Sequence, residues 1–218
     1  MSEFAEFLVR SGAVKFGSFT LKSGRSSPYF VNLGVLADGE SVSRLGAFYA
    51  ASLVEKNLVD VTDVLFGPSY KGIPIAVATA ISLHRDHSRS VRFAFNRKEA
   101  KGHGEGGMIV GSPLRDGDRV GLLDDVITTG KTKEEAISLI RSSARVDIQY
   151  ILIAVDRMER GETELCATRE FEERTGIPVH SIATIEEVAE VAAKRGLLPA
   201  SVLDLIRSYL AQHGGRRK

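Results

Sequence analysis

Two adjacent carboxylates, Asp124 and Asp125, end the apolar run Val120-Gly121-Leu122-Leu123, and Val126-Ile127-Thr128-Thr129-Gly130-Lys131-Thr132 follows them at once. The apolar run reads as a buried strand, and open α/β sheets gather their ligands at the carboxyl ends of such strands. The turn after it is small and rich in hydroxyls, and it opens a helix. Backbone N–H groups at a helix start, together with the positive end of the helix dipole, cradle phosphate. Thr128, Thr129 and Thr132 add hydroxyl donors, and Gly130 lets the backbone approach closely. The aspartates would repel that anion, so they face something else. A vicinal diol offers two O–H donors, and carboxylates only accept. Phosphate on one side and a diol on the other describe a ribose 5-phosphate. The plainer reading of the acidic pair is a solvated strand end.

Two familiar nucleotide motifs fail on inspection. Gly130-Lys131-Thr132 resembles the end of a P-loop, but Asp125 stands where that motif needs its first glycine. Gly102-His103-Gly104-Glu105-Gly106-Gly107 matches the spelling of a dinucleotide fingerprint. That fingerprint must follow a buried strand and open a helix, whereas here a charged run precedes it and an apolar strand follows. The segment 96–107 has no apolar residue larger than alanine and cannot bury itself, so a mobile surface loop is expected. Arg97, Lys98, Lys101 and His103 on such a loop suit a lid over anionic oxygens, or simply a solvated basic loop.

Three further groups can complete a site. Phe66-Gly67-Pro68-Ser69-Tyr70-Lys71-Gly72 is a second strand-to-helix turn, and it presents the cation Lys71 beside a helix start. The stretch from Thr20 to Phe30 joins Lys22 to the aromatic pair Tyr29 and Phe30. Either ring can stack on a planar ligand if exposed, or both can pack in the core. Arg157, after the strand ending at Val155, can grip a carboxylate with two parallel hydrogen bonds, or pair with Asp156 or Glu159.

These residues need elements to hold them. Apolar spacing predicts helices at 3–10, 41–56, 72–83, 133–142, 185–195 and 199–211, with Ser2 capping the first. Strands are expected at 61–66, 91–95, 108–111, 119–124, 146–155 and 179–183, and a frayed tail at 214–218. Strands alternating with helices imply a mostly parallel sheet with crossover helices. The 218 residues are 43% hydrophobic and 26% charged, which suits one domain. With 29 Lys and Arg against 28 Asp and Glu, no general polyanion surface is expected, hence no nucleic-acid partner. Cys166 stands alone, which excludes an intrachain disulfide and a cysteine metal cluster. The acidic start and the absence of any run near roughly 18 apolar residues argue against a leader and a membrane span. A cytoplasmic protein is expected.

Taken together, the segments at 16–161 resemble orotate phosphoribosyltransferases, a type I phosphoribosyltransferase family. Leu123-Asp124-Asp125-Val126-Ile127-Thr128-Thr129-Gly130 matches the superfamily. Phe19-Thr20-Leu21-Lys22-Ser23-Gly24-Arg25, Asn96-Arg97-Lys98-Glu99-Ala100-Lys101 and Asp156-Arg157 followed by Glu159-Arg160-Gly161 match the orotate branch. The resemblance implies a type I fold: an α/β core at about 40–160 under a small hood from 1–39 and 161–218. It implies that Asp124, Asp125, Val126, Ile127, Thr128, Thr129, Gly130, Lys131 and Thr132 bind the ribose phosphate of phosphoribosyl diphosphate. Lys22, Tyr70, Lys71, Arg97, Lys98, Lys101 and His103 would contact the same substrate. Tyr29, Phe30, Thr128 and Arg157 would meet orotate. Mg²⁺ would be held mainly through substrate and water. The implied assembly is a homodimer whose lid reaches the neighbouring site.

Charge flow then assigns catalytic parts to Lys98, Lys101, His103, Asp124 and Asp125, with Lys71 also steadying the departing diphosphate and His103 as a candidate acid. Two rivals remain. A purine-type phosphoribosyltransferase would share the acidic motif but has no need of the carboxylate grip that Lys22 and Arg157 offer. A regulator that only senses phosphoribosyl diphosphate and binds nucleic acid should carry a basic face.

Overall fold

A computed structural model describes residues 2–21, 24–99 and 107–216. The chain opens with α1 (Ser2–Arg10), the strands β1 (Val14–Thr20) and β2 (Ser26–Val31), and α2 (Gly39–Glu55). Then come β3 (Val64–Gly67), α3 (Gly72–His87), β4 (Arg92–Asn96), β5 (Ile109–Gly111) and β6 (Arg119–Asp124). The remainder is α4 (Lys131–Ser143), β7 (Asp147–Asp156), α5 (Ala167–Thr175), β8 (Val179–Thr184), α6 (Ile185–Lys194) and α7 (Ala200–His213). Local chemistry accounts for the boundaries that differ from expectation. Asp38 and Ser41 form a capping box that starts α2 two residues early. Ser2, expected as a cap, lies inside α1.

Six strands form the main sheet in the order β5-β4-β3-β6-β7-β8. The neighbours β4, β3, β6, β7 and β8 run parallel, and β5 pairs antiparallel with β4 at the edge. The sheet separates two apolar cores, and strand alternation sorts side chains between them. Val64, Phe66, Val120, Leu122, Ile151 and Ile153 face a core closed by Ile137 and Ile140 of α4 and Phe171 of α5. Leu65, Leu123, Leu152 and Ala154 face the other, which takes in α1, α2, α3, α6 and α7. Burial on both faces is why the parallel strands read as continuous apolar runs.

The hood expectation needs correction. β8 lies inside the range assigned to the hood, yet it is hydrogen-bonded to β7 as the edge of the main sheet. The covering layer is instead the β1–β2 hairpin, α1, α6 and α7, with α1 against α6 and β2 against α7. The expected frayed tail is also corrected. Gly214 bridges Glu159 and Arg216 bridges Leu165, so the chain end to residue 216 is stitched onto the loop after β7.

Candidate active site

Because β3, β4, β6 and β7 are parallel, their carboxyl ends share one edge of the sheet. That edge collects the turn of Tyr70 and Lys71, the stem of Arg97 and Lys98, the acidic pair with its threonine turn, and Arg157.

Asp124 and Asp125 are each only 5% exposed, and each is held twice. Asp124 Oδ1 accepts from the Asp125 N–H at 2.9 Å, and its Oδ2 meets Lys133 Nζ at 2.5 Å. Asp125 Oδ1 accepts from the Val126 N–H at 2.8 Å, and its Oδ2 accepts from Lys71 Nζ at 2.6 Å. Burial lifts the Asp124 carboxyl above its ordinary value, Lys133 pulls against that lift, and the neighbouring Asp125 charge adds to it. Beneath the pair, Tyr49 of α2 donates its hydroxyl to the Asp124 carbonyl at 2.7 Å. Burial first, and then the two carboxylates, push the Tyr49 phenol well above its ordinary value, so it stays a donor.

The turn that follows exposes Thr128, Thr129, Lys131 and Thr132, while Val126 is partly covered and Ile127 is buried as its apolar anchor. Gly130 caps α4 at φ +78°, and a Cβ there would lie 2.3 Å from Phe171, so only glycine fits. The first amides bonded within this helix start, those of Lys133 and Glu134, both donate to the Gly130 carbonyl. That leaves the Lys131 and Thr132 amides as the leading donors of the helix.

The second turn is equally tight. A Cβ on Gly67 would lie 2.1 Å from the Gly72 carbonyl oxygen, so strand end and helix start touch through bare backbone. Asn96, at the end of β4, accepts from the Ser69 N–H at 3.0 Å and donates to Ser69 Oγ at 3.1 Å. The end of β4 is thereby fastened to the Lys71 turn. Tyr70 is exposed, and Lys98 Nζ lies 4.8 Å over its ring. Arg97 donates its amide to Met108 across the stem. Lys22, Lys101, His103 and the expected mobile loop tip lie outside the described residues.

Arg157 sits in a buried charge cluster. It donates to Glu159 at 2.7 Å, and Arg25 pairs with the same carboxylate. Burial works against the Arg157 cation, yet Glu159 beside it raises the guanidinium pKa. Two cations thus share one carboxylate. Tyr29 is fully buried, and its hydroxyl is shared between Glu159 Oε1 at 2.7 Å and the Arg157 carbonyl at 2.9 Å. Tyr209 of the covering helix α7 packs edge-on against the Tyr29 ring. Phe30 is 43% exposed and stacked on Phe19. The Arg157–Glu159 pair is one of the two partners the sequence offers for Arg157, whereas Lys133 and the pairing of Arg25 with Glu159 are passed over by sequence reasoning. Lys133 lies in a helix rich in charged residues and reads as solvated, although it is buried.

The comparisons agree with this geometry. Residues 34–172 match the model of the phosphoribosyl transferase domain. The orotate phosphoribosyltransferase of Pseudomonas fluorescens is 47% identical over 212 residues, covering 97% of both chains. The orotate phosphoribosyltransferase of Bifidobacterium longum is 43% identical over 97% of this chain and 96% of its own. Among solved structures, the orotate phosphoribosyltransferase of Francisella tularensis superimposes with a TM-score of 0.84 at 32% identity, over 98% of this chain and 100% of its own. The UMP synthase of Leishmania donovani matches 97% of this chain with 42% of its own length, at a TM-score of 0.76 and 29% identity. Near-complete coverage at this identity, with an acidic pair and a threonine turn at one sheet edge, means that the chain belongs to the orotate phosphoribosyltransferase family.

Proposed function

We propose that this chain transfers ribose 5-phosphate from phosphoribosyl diphosphate to orotate, giving orotidine 5′-phosphate and diphosphate in UMP biosynthesis. The observation that carries the reading is the meeting, at one sheet edge, of the acidic pair, the threonine turn and the Arg157 cluster. Asp124 and Asp125 accept the ribose hydroxyls, and Thr128 to Thr132 hold the 5-phosphate. Arg157 orients orotate through its oxygens, Phe30 covers the ring, and Lys22 assists. Two guanidiniums against one carboxylate leave a positive excess suited to an acid.

No protein nucleophile is required. Orotate nitrogen forms a bond to the anomeric carbon as the bond from that carbon to diphosphate oxygen breaks, the electron pair leaves with diphosphate, and the proton lost from that nitrogen passes to solvent. Lys71, Lys98 and Lys101 stabilise the charge gathering on the departing oxygens, and Tyr70 and Arg97 line their path. His103 stands as the candidate acid toward that group. The residues fit Mg²⁺ that would be held mainly by substrate oxygens and water, because each oxygen of Asp124 and Asp125 already faces a lysine or an amide and no cluster of metal-holding side chains occurs among the described residues. Bound in that way, Mg²⁺ supplies charge neutralisation to diphosphate.

The working unit in this reading is a cytoplasmic homodimer with shared sites. Among the described residues, no helix is long and apolar enough to cross a membrane. Mixing the protein with orotate, phosphoribosyl diphosphate and Mg²⁺ should consume the ultraviolet absorbance of orotate. Consumption of hypoxanthine in its place would overturn the assignment.

A further inference from the structure

The two carboxylates of the acidic pair are neutralised in different ways. Lys71 reaches Asp125 from the start of α3 with 45% of its side chain exposed. Lys133 reaches Asp124 from α4 with only 9% exposed. Lys133 Nζ also donates to the Val126 carbonyl at 2.7 Å, so one ammonium ties the strand end to the turn that follows it. A half-exposed lysine can change partners when an anion arrives. A buried one bonded at both ends stays.

The consequence appears when diphosphate binds. If Lys71 turns to the anion, the pair is left as two adjacent carboxylates. Like charges this close cannot both stay ionised in a buried site without a cation. The other groups facing the pair do not supply one: Tyr49 of α2 meets only the Asp124 carbonyl, and Asp125 adds negative charge. We propose that Lys133 is a positioning residue for sugar binding, the fixed internal counter-ion that keeps Asp124 an acceptor for a ribose hydroxyl while Lys71 exchanges Asp125 for diphosphate. This rests on the reading of the pair as a diol site, and it adds a residue that never touches substrate.

The test is calorimetric binding of phosphoribosyl diphosphate with Mg²⁺, without orotate, from pH 6 to pH 9. Lys133→Gln keeps a donor for the Val126 carbonyl and removes the charge. Loss of the cation lets the Asp124 pKa rise, so the variant should bind at least tenfold more weakly than wild type at pH 6 and approach it by pH 9. Protonation of the ligand's own phosphates cancels in that ratio. A ratio that stays constant across the pH range means a structural staple and overturns the proposal. Should Lys133→Gln fail to fold, Asp124→Asn and Asp124→Asn/Lys133→Gln decide. With no carboxylate left to hold, the two should bind equally, and a further tenfold loss in the double variant overturns the proposal. A wild type that binds phosphoribosyl diphosphate but leaves orotate untouched sinks the orotate assignment alone.

Discussion

Glu159 is the residue on which the Arg157 side of the site turns. It holds Arg25 and Arg157 together and also takes the Tyr29 hydroxyl, whose donor character is secured by burial and by Glu159 itself. Glu159→Gln should therefore disorder both guanidiniums and raise the orotate KM roughly tenfold, since a charge-assisted hydrogen bond contributes about 1.5–3 kcal/mol. The KM for phosphoribosyl diphosphate should hold steady. Steady-state kinetics with each substrate varied in turn checks the split, and equal changes in both would place Glu159 elsewhere in the mechanism. Lys71→Met should act on the other side, lowering kcat by tenfold or more, because its charge matters most as diphosphate departs. The acidic pair and its threonine turn were legible in the sequence because their chemistry is local and contiguous. The Arg157–Glu159 pair was legible for the same reason, but the second arm of Glu159 and the role of Lys133 were not, since Arg25 and Asp124 lie on other elements. Tyr29 shows the limit of an adjacent aromatic pair, because strand alternation sends one ring inward and its neighbour out.

At the level of elements, the phosphate turn depends on a backbone conformation as much as on its threonines. Gly130→Ala would meet both a positive φ and the Phe171 ring, whereas Gly176→Ala, at φ +70°, faces open space. The first should weaken binding of phosphoribosyl diphosphate several-fold and lower Tm. The second should cost only about 1 kcal/mol, or roughly 2–4 °C, with substrate binding unchanged. Thermal melts and calorimetry on both variants separate the two effects, and equal binding by Gly130→Ala would mean that the turn tolerates rearrangement. The central strands β3, β6 and β7 were readable because each is a largely buried run between turns. The β1–β2 hairpin was not, since its register shifts between Phe16 and Phe19 and breaks the alternation that marks a strand. Helix α5 escaped because only Thr168 and Phe171 of its nine residues are buried, too few to print a periodic face.

For the molecule as a whole, the sheet is anchored at the amino end of β6 by a fork from Arg119 to Asp63, at 2.9 and 3.0 Å. Hydrogen bonds from Arg119 hold the Asp63 pKa down to about 2. A carboxyl depressed in the folded state adds stability above its unfolded value of about 3.9, and that contribution fades as pH falls toward 2. Asp63→Asn should thus lower Tm at pH 7 by roughly 1–4 °C, the range of an exposed but well-aligned pair, and by less near pH 3. A difference that grows on acidification would contradict the linkage. The proposed homodimer with shared sites has its own test. Inactive Lys101→Ala and Asp125→Asn chains, mixed and allowed to exchange, should recover roughly a quarter of wild-type activity, because half of the dimers then carry one intact site. No recovery would mean that each chain works with its own lid.

The last residues described give a practical consequence. His213 accepts the Arg160 amide, Gly214 pairs with Glu159, and Arg216 accepts the Cys166 amide while donating its own to Glu164. What reads as an expendable end is a clasp on the very segment that carries Arg157, the proposed grip on orotate. Clipping a few residues there, or pulling on them with a fused tag, should be felt as poorer discrimination for the pyrimidine acid well before the protein loses its shape.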